Sequence, residues 1–207
     1  MLNINRGTKM NTRSLSLIII FTALAAALNI YGPKIPFPLY PFLYFQLWEI
    51  PIVIAFLMIG PRSGLIVGAI NTLLLLIFFQ GYLPSGPFYN FAAVLAMFVG
   101  IYLPYWLSKR KCKENNFGNY LRKHILVFTA SSTGLAIVLR VLALTVINYF
   151  ALPQPYPIGL EMPQEAVLVF LPPGAIFNAI VALYTIPIAI AITALVMSRV
   201  KIQLKKN

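Results

Sequence analysis

The sequence predicts an all-α integral membrane protein with six transmembrane helices and both termini in the cytoplasm. Three observations carry that prediction. Of the 207 residues, 60% are hydrophobic and only 10% are charged, where soluble domains run near half apolar and a quarter charged. The apolar residues gather into six segments. The basic residues fall almost wholly on alternate connections between those segments. Since a bilayer core about 30 Å thick takes roughly 20 apolar residues per helix, six spans and their loops use up the length as a single domain, residues 1–207. No room remains for a soluble catalytic or nucleotide-binding domain.

The first segment, Ser14–Tyr31, follows Arg6, Lys9 and Arg13 in a basic tail, residues 1–13. It reads as a retained helix and not a cleaved signal, because it stays apolar past Ala23–Ala27 to Tyr31. A loop, residues 32–46, comes next; its Gly32–Pro41 stretch holds four prolines and cannot be a regular helix. The second and third segments, Leu47–Gly60 and Gly64–Phe79, are short and are joined by Gly60-Pro61-Arg62-Ser63-Gly64, a helix-breaking reversal. Glycines at 60, 64 and 68 form a small-residue stripe suited to close helix packing in lipid. The fourth segment, Phe88–Leu107, leads into a basic loop, residues 108–124. The fifth, Ile125–Phe150, leads into a proline-rich loop, residues 151–171. The sixth, Pro172–Met197, ends in a basic tail, residues 199–207.

Sorting the bases by loop fixes the orientation. The formal charge is +12, from 16 Lys/Arg against Glu49, Glu114, Glu161 and Glu165. In a soluble protein that excess suggests nucleic acid; here it marks topology, and no nucleic-acid partner is expected. Arg6, Lys9, Arg13, Arg62, Lys109, Arg110, Lys111, Lys113, Arg122, Lys123, Arg199, Lys201, Lys205 and Lys206 all fall on one side. Lysine and arginine bias marks the cytoplasmic face, so the proline-rich loops are external, on a multi-pass protein of the cell membrane. The opposite side keeps Lys34 with Glu49, Glu161 and Glu165.

The sixteenth base is Arg140, well inside the fifth segment. A charge at that depth costs about 2.5–3.5 kcal/mol on insertion scales and needs a polar cavity or a partner. It either ties two helices together or meets a ligand, with Glu49 as a possible counter-ion. Asn71, Asn90, Asn148 and Asn178 also lie in or beside apolar segments, as interhelical glue or as ligand contacts. Asn90 and Asn148 flank external loops, whereas Asn71 reads as structural. Between Tyr40 and Trp48 stand Tyr40, Phe42, Tyr44, Phe45 and Trp48. They form either an interfacial aromatic belt or a stacking wall for a planar ligand. Tyr149, Phe150 and Tyr156 put similar groups on the same side, which suggests a lidded pocket open to the outside.

Ala23 and Ala27 share a helix face that suits internal packing or docking to another membrane protein. One cysteine, Cys112, and one histidine, His124, leave no intramolecular disulfide and no Cys/His metal cluster. No phosphate-binding glycine loop or nucleophile–base pair is present, so an enzyme is disfavoured and no cofactor is expected. Uphill movement of a solute would draw on an ion gradient or a partner.

The run Phe42-Leu43-Tyr44-Phe45, Glu49-Ile50-Pro51, Gly60-Pro61-Arg62-Ser63-Gly64-Leu65-Ile66-Val67-Gly68 and Asn71 resembles the substrate-binding S components of energy-coupling factor (ECF) vitamin transporters, most closely the riboflavin-specific branch. Asn90-Phe91-Ala92 is similar to that branch's start of helix four, and Asn148-Tyr149-Phe150 with Pro153 to its end of helix five. The Ala23/Ala27 pair resembles the alanine motif by which S components dock on the coupling subunit. The resemblance runs from about residue 14 to 198. It implies a six-helix fold with an external pocket covered by the first loop, and ligand contacts at Tyr44, Phe45, Asn90, Asn148 and Tyr149. It also implies that ATP hydrolysis belongs to two ATPase subunits working with a transmembrane coupling subunit. The sequence departs from the branch in two places. Helix six reads Pro172-Pro173-Gly174-Ala175-Ile176-Phe177-Asn178 with no lysine, and Gln46 replaces the acidic residue after the loop aromatics. The expectation is a high-affinity vitamin-binding S component for riboflavin or a related flavin. Its alternatives are an S component for another vitamin or small heterocycle and a non-transporting membrane scaffold.

Overall fold

Nearly every element boundary follows from where proline and glycine interrupt apolar sequence. A computed structural model describes residues 12–78, 83–111 and 117–199. Helix α1 spans Thr12–Ile30. The prolines that follow exclude a helix, and the chain turns back on itself as an antiparallel hairpin of β1 (Ile35–Phe37) and β2 (Tyr40–Phe45). Ile35 pairs with Phe45, Pro36 with Tyr44 and Phe37 with Tyr40, with an irregularity after Pro36. Pro36 and Pro41 are tolerated because both strands of a two-stranded ribbon are edges. The loop expected at residues 32–46 therefore contains ordered strands, and the fold is mainly helical with one hairpin.

Helix α2 (Glu49–Met58) has all ten residues buried and is the centre of the core. It packs against α1, α3 (Pro61–Ile77) and α7 (Gln164–Arg199). Pro61 stands at the first turn of α3, where its missing N–H costs nothing, and Gly60 before it adopts φ 140°, open to glycine alone without strain. Of the predicted glycine stripe, Gly64 and Gly68 pack against neighbouring helices, whereas Gly60 meets nothing within 4 Å. A Cβ added at Gly64 would lie 2.9 Å from the Phe56 Cα, so α3 can approach α2 this closely only with glycine there.

Helix α4 (Gly86–Lys111) packs along α6 (Ile125–Ala151), and α6 along α7. The short α5 (Phe117–Lys123) follows α4 in the chain and packs mainly on α7, with Phe117 and Leu121 buried. The expected basic loop at 108–124 is thus shortened at both ends by helix.

Among the described residues, four helices are long and apolar enough to cross a membrane: Thr12–Ile30, Gly86–Arg110, Ile125–Ala151 and Gln164–Met197. Helices α2 and α3, with 10 and 17 residues, reach about 15 and 25 Å at 1.5 Å per residue. Both are apolar but shorter than a full span, and α2 is wholly buried in the core. Helix α7 also begins eight residues before Pro172, so the expected loop 151–171 is shorter and Pro172 and Pro173 lie inside the helix. Those prolines remove two internal donors, yet apolar residues on both sides keep the segment helical, as happens in membrane helices whose neighbours supply packing. The outer parts of the expected tails, residues 1–11 and 200–207, lie outside the described residues, as does Phe79.

The bundle has two chemically different ends. The hairpin, the α6–α7 connection and the start of α4 meet at one end, where Tyr40 and Leu43 pack with Leu152, Val167 and Phe170. The other end carries Arg13, Arg62, Lys109, Arg110, Arg122 and Lys123. There the Arg110 guanidinium sits 3.6 Å from the Trp106 ring centre, and the Lys109 ammonium lies 5.2 Å from that of Tyr105. The charge asymmetry read from the loops is therefore an asymmetry of the folded molecule.

Candidate functional site

A cavity of about 660 Å³ opens at the hairpin end, between α1, α3, α4, α6 and α7. Small-molecule sites fall at about 300–1,000 Å³ with apolar walls and a few convergent polar groups. The hairpin supplies Phe42 and Tyr44, α4 supplies Tyr89 and Asn90, α6 supplies Arg140, Leu144 and Asn148, and α7 supplies Phe170, Phe177 and Asn178. Asn29 and Gln46 add two further amides, and Lys34 adds a cation. Beneath it a pocket of about 40 Å³ is lined by Trp48, Glu49 and Tyr184 with Tyr44, Gln46, Asn90, Arg140 and Phe177, which line the larger cavity as well.

The floor is built around Arg140. Its Nη1 donates to Glu49 Oε2 at 2.5 Å and its Nη2 to Glu49 Oε1 at 2.9 Å, a two-pronged ion pair. Its Nε donates to Asn178 Oδ1 at 3.1 Å, and Asn178 Nδ2 donates to the Gly174 carbonyl oxygen at 2.9 Å. Both charged side chains are only 4% exposed. The pair joins α2 to α6 across 91 residues of sequence, and Asn178 adds α7. It answers the question of Arg140's partner: the guanidinium ties helices together and also lines the cavity. A buried pair of this kind is weak evidence for net stability, but removal of one partner leaves an uncompensated charge.

Two sets of hydrogen bonds hold the cover. Tyr184 Oη donates to the Gln46 carbonyl oxygen at 2.6 Å, which fixes the hairpin's exit to α7. Ser85 Oγ and Tyr89 Oη both donate to the Ile158 carbonyl oxygen, at 2.9 and 2.5 Å, which tie the start of α4 to the α6–α7 connection. Phe45 stacks on Phe177 with ring centres 5.1 Å apart, and Phe42 stacks on Phe170 at 6.1 Å.

Of the residues expected at a ligand site, Phe42, Tyr44, Asn90, Arg140, Asn148 and Asn178 line the main cavity, and Trp48 and Glu49 line the pocket beneath it. Tyr40 braces Phe42 and Phe170 from behind, at 5.5 and 4.9 Å, and Phe45 backs the wall through Phe177. Tyr149 lies away from the cavity, edge-on to Phe150. One helical turn separates cavity-facing positions, so Leu144 and Asn148 point inward while the next residue points out. Asn71 is fully buried away from the cavity, and neither of its amide atoms has a hydrogen-bond partner among the described residues. Sequence reading missed Asn29, Phe170, Phe177 and Tyr184. Phe177 and Tyr184 are seven apart, two turns of one helix face, a signal masked by the apolar run around them. Ala23 and Ala27 are exposed, while Thr22 and Ala25 between and beside them are buried.

Comparison with solved structures matches the chain to the S component of a bacterial ECF transporter, with a TM-score of 0.65 and 24% sequence identity over 94% of this chain and 98% of that one. No family model matches, and no curated protein does. The chain thus has the fold of an ECF transporter S component.

Proposed function

We propose that this protein is a substrate-binding membrane subunit of an ECF-type importer and that its ligand is riboflavin or a related flavin. The observation that carries the reading is the cavity of about 660 Å³, with aromatics on one wall and the amides of Asn29, Asn90, Asn148 and Asn178 with Arg140 around it. A planar heterocycle stacks on rings such as Tyr44 and Phe42, and side-chain amides can both donate to and accept from the polar edge of a flavin. The fold shared with an S component supports the same reading.

On this account the hairpin end faces outward and the basic end faces the cytoplasm, with both termini inside. Cargo enters beneath the hairpin, and the cover closes through the Gln46–Tyr184 and Ile158–Tyr89 hydrogen bonds. The exposed Ala23 and Ala27 give a flat strip for a transmembrane coupling subunit, and two ATPase subunits supply the energy. The chain itself transports by binding and release and catalyses no reaction.

Titration of the purified protein with riboflavin, followed by Trp48 and Trp106 fluorescence, tests the ligand. Saturable quenching at one flavin per chain supports it. Binding of a different vitamin with none of any flavin overturns the ligand, and no small-molecule binding at all favours a scaffold. Uptake into proteoliposomes with and without an ATPase module tests the coupling.

A further inference from the structure

The contact between Glu49 and Arg140 has the geometry in which an arginine receives an anionic ligand. Both carboxylate oxygens face two guanidinium nitrogens, at 2.5 and 2.9 Å, as a bound carboxylate or phosphate would. Asn178 Oδ1 accepts the hydrogen bond of Nε–H, and the Met97 sulfur lies 3.9 Å from Nη1. Among the described residues the charged groups around the two cavities are Lys34, Arg140 and Glu49. Glu49 is therefore the sole negative charge in the lining, placed where it covers the deeper of two cations.

We infer that Glu49 determines charge selectivity at this site: its carboxylate occupies the anion-binding face of Arg140, so the floor admits uncharged polar groups and rejects anionic ones. An incoming anion must displace Glu49, leaving a carboxylate that is 4% exposed without its partner, a state that buried ion pairs strongly resist. A neutral acceptor does not face this barrier. It needs only one N–H from Arg140, or an amide from Asn90, which lines both cavities. The lower pocket, about 40 Å³, has room for a water or two or a small polar substituent. Removing the Glu49 charge turns a lining of two cations and one anion into two cations, in a concave site where field is poorly screened. The inference rests on the cavity being a ligand site, but its test does not depend on which ligand that is.

Trp48 lines the lower pocket and reports on it directly. In full-length protein carrying Trp106→Phe, so that Trp48 is the only fluorophore of its kind, quenching by iodide is compared with quenching by neutral acrylamide. With Glu49 intact, iodide is the weaker quencher. Glu49→Gln raises the iodide-to-acrylamide ratio by about tenfold, the lower end of electrostatic focusing in a cleft, and Glu49→Gln combined with Arg140→Gln returns it to the starting value. An unchanged ratio in Glu49→Gln, or one that stays high in the double variant, overturns the inference. If Glu49→Gln does not fold, the protein with Glu49 intact decides alone: stronger quenching of its Trp48 by iodide than by caesium, a cation of similar size, refutes a floor closed to anions, and the reverse order upholds it. A flavin that fails to bind leaves all these outcomes readable, so the ligand assignment and the charge filter fail separately.

Discussion

Replacing Arg140 by methionine removes the charge while keeping an apolar stem of similar reach. Glu49 then stays in a site where its side chain is 4% exposed, and Asn178 Oδ1 loses the donor now 3.1 Å away. Breaking a buried pair from one side costs about 3–5 kcal/mol. For a chain of this size, each kcal/mol moves the midpoint by about 2–4 °C, so the variant should melt about 6–20 °C below the parent in detergent. Glu49→Gln should cost less, because glutamine keeps the shape and one acceptor oxygen for Arg140, whose Nε stays bonded to Asn178 Oδ1. The double variant Arg140→Met with Glu49→Gln leaves no charge and should recover at least about 2 kcal/mol of the loss, a coupling within the range for residues in contact. Thermal unfolding followed by tryptophan fluorescence measures all three. A single-variant loss under about 1 kcal/mol, or strict additivity in the double variant, would refute a strongly coupled pair.

Four further outcomes follow from the same geometry. Gly100→Ala would place a Cβ 2.5 Å from the Ala136 backbone and should destabilise by about 1–3 kcal/mol, whereas Gly134→Ala meets nothing within 4 Å and should be neutral or stabilising by up to about 1 kcal/mol; thermal melts of the two variants compare them. Tyr89→Phe removes the hydroxyl that donates to the Ile158 carbonyl and should weaken the cover by about 1 kcal/mol, read as faster amide exchange across residues 152–163. Asn90→Ala and Asn148→Ala should each weaken flavin binding about tenfold, equivalent to one hydrogen bond of about 1.4 kcal/mol, with melting temperatures little changed. Ala23→Leu with Ala27→Leu should leave ligand binding intact and abolish copurification with a coupling subunit, because both alanines are exposed and neither lines the cavity.

Much of this architecture is legible in the sequence where a physical constraint acts locally. Gly60-Pro61 forces a reversal between two apolar runs, and the structure starts α3 at Pro61. A lone arginine deep in an apolar segment needs a partner, and Glu49 is among only four acids in the chain, so the pair could be suspected before its geometry was known. The hairpin was less legible, because prolines exclude a helix without specifying strand pairing; its register depends on Phe37, Phe45 and Phe177 meeting in space. The early start of α7 was hidden for a related reason. Pro172 and Pro173 read as a boundary, and only the packing of Val167 and Phe170 against Leu152 and the hairpin explains why the helix begins before them. Phe170, Phe177 and Tyr184 escaped notice because aromatic residues in an apolar run carry no mark of which face they occupy. Tyr149 was expected at the site from the family resemblance, yet a single position along a helix turns a side chain by about 100°, and Asn148 lines the cavity where Tyr149 does not.

The function proposed for this protein turns on a flavin in the cavity beneath the hairpin. Equilibrium dialysis of riboflavin against the purified, detergent-solubilised protein tests that claim most directly. One flavin per chain is expected, held more tightly than about 1 μM, or about −8.2 kcal/mol, with a yellow protein fraction that loses its colour when Asn90 and Asn148 are both replaced by alanine. A protein that retains no flavin at saturating concentration, while remaining folded by its thermal melt, would contradict it.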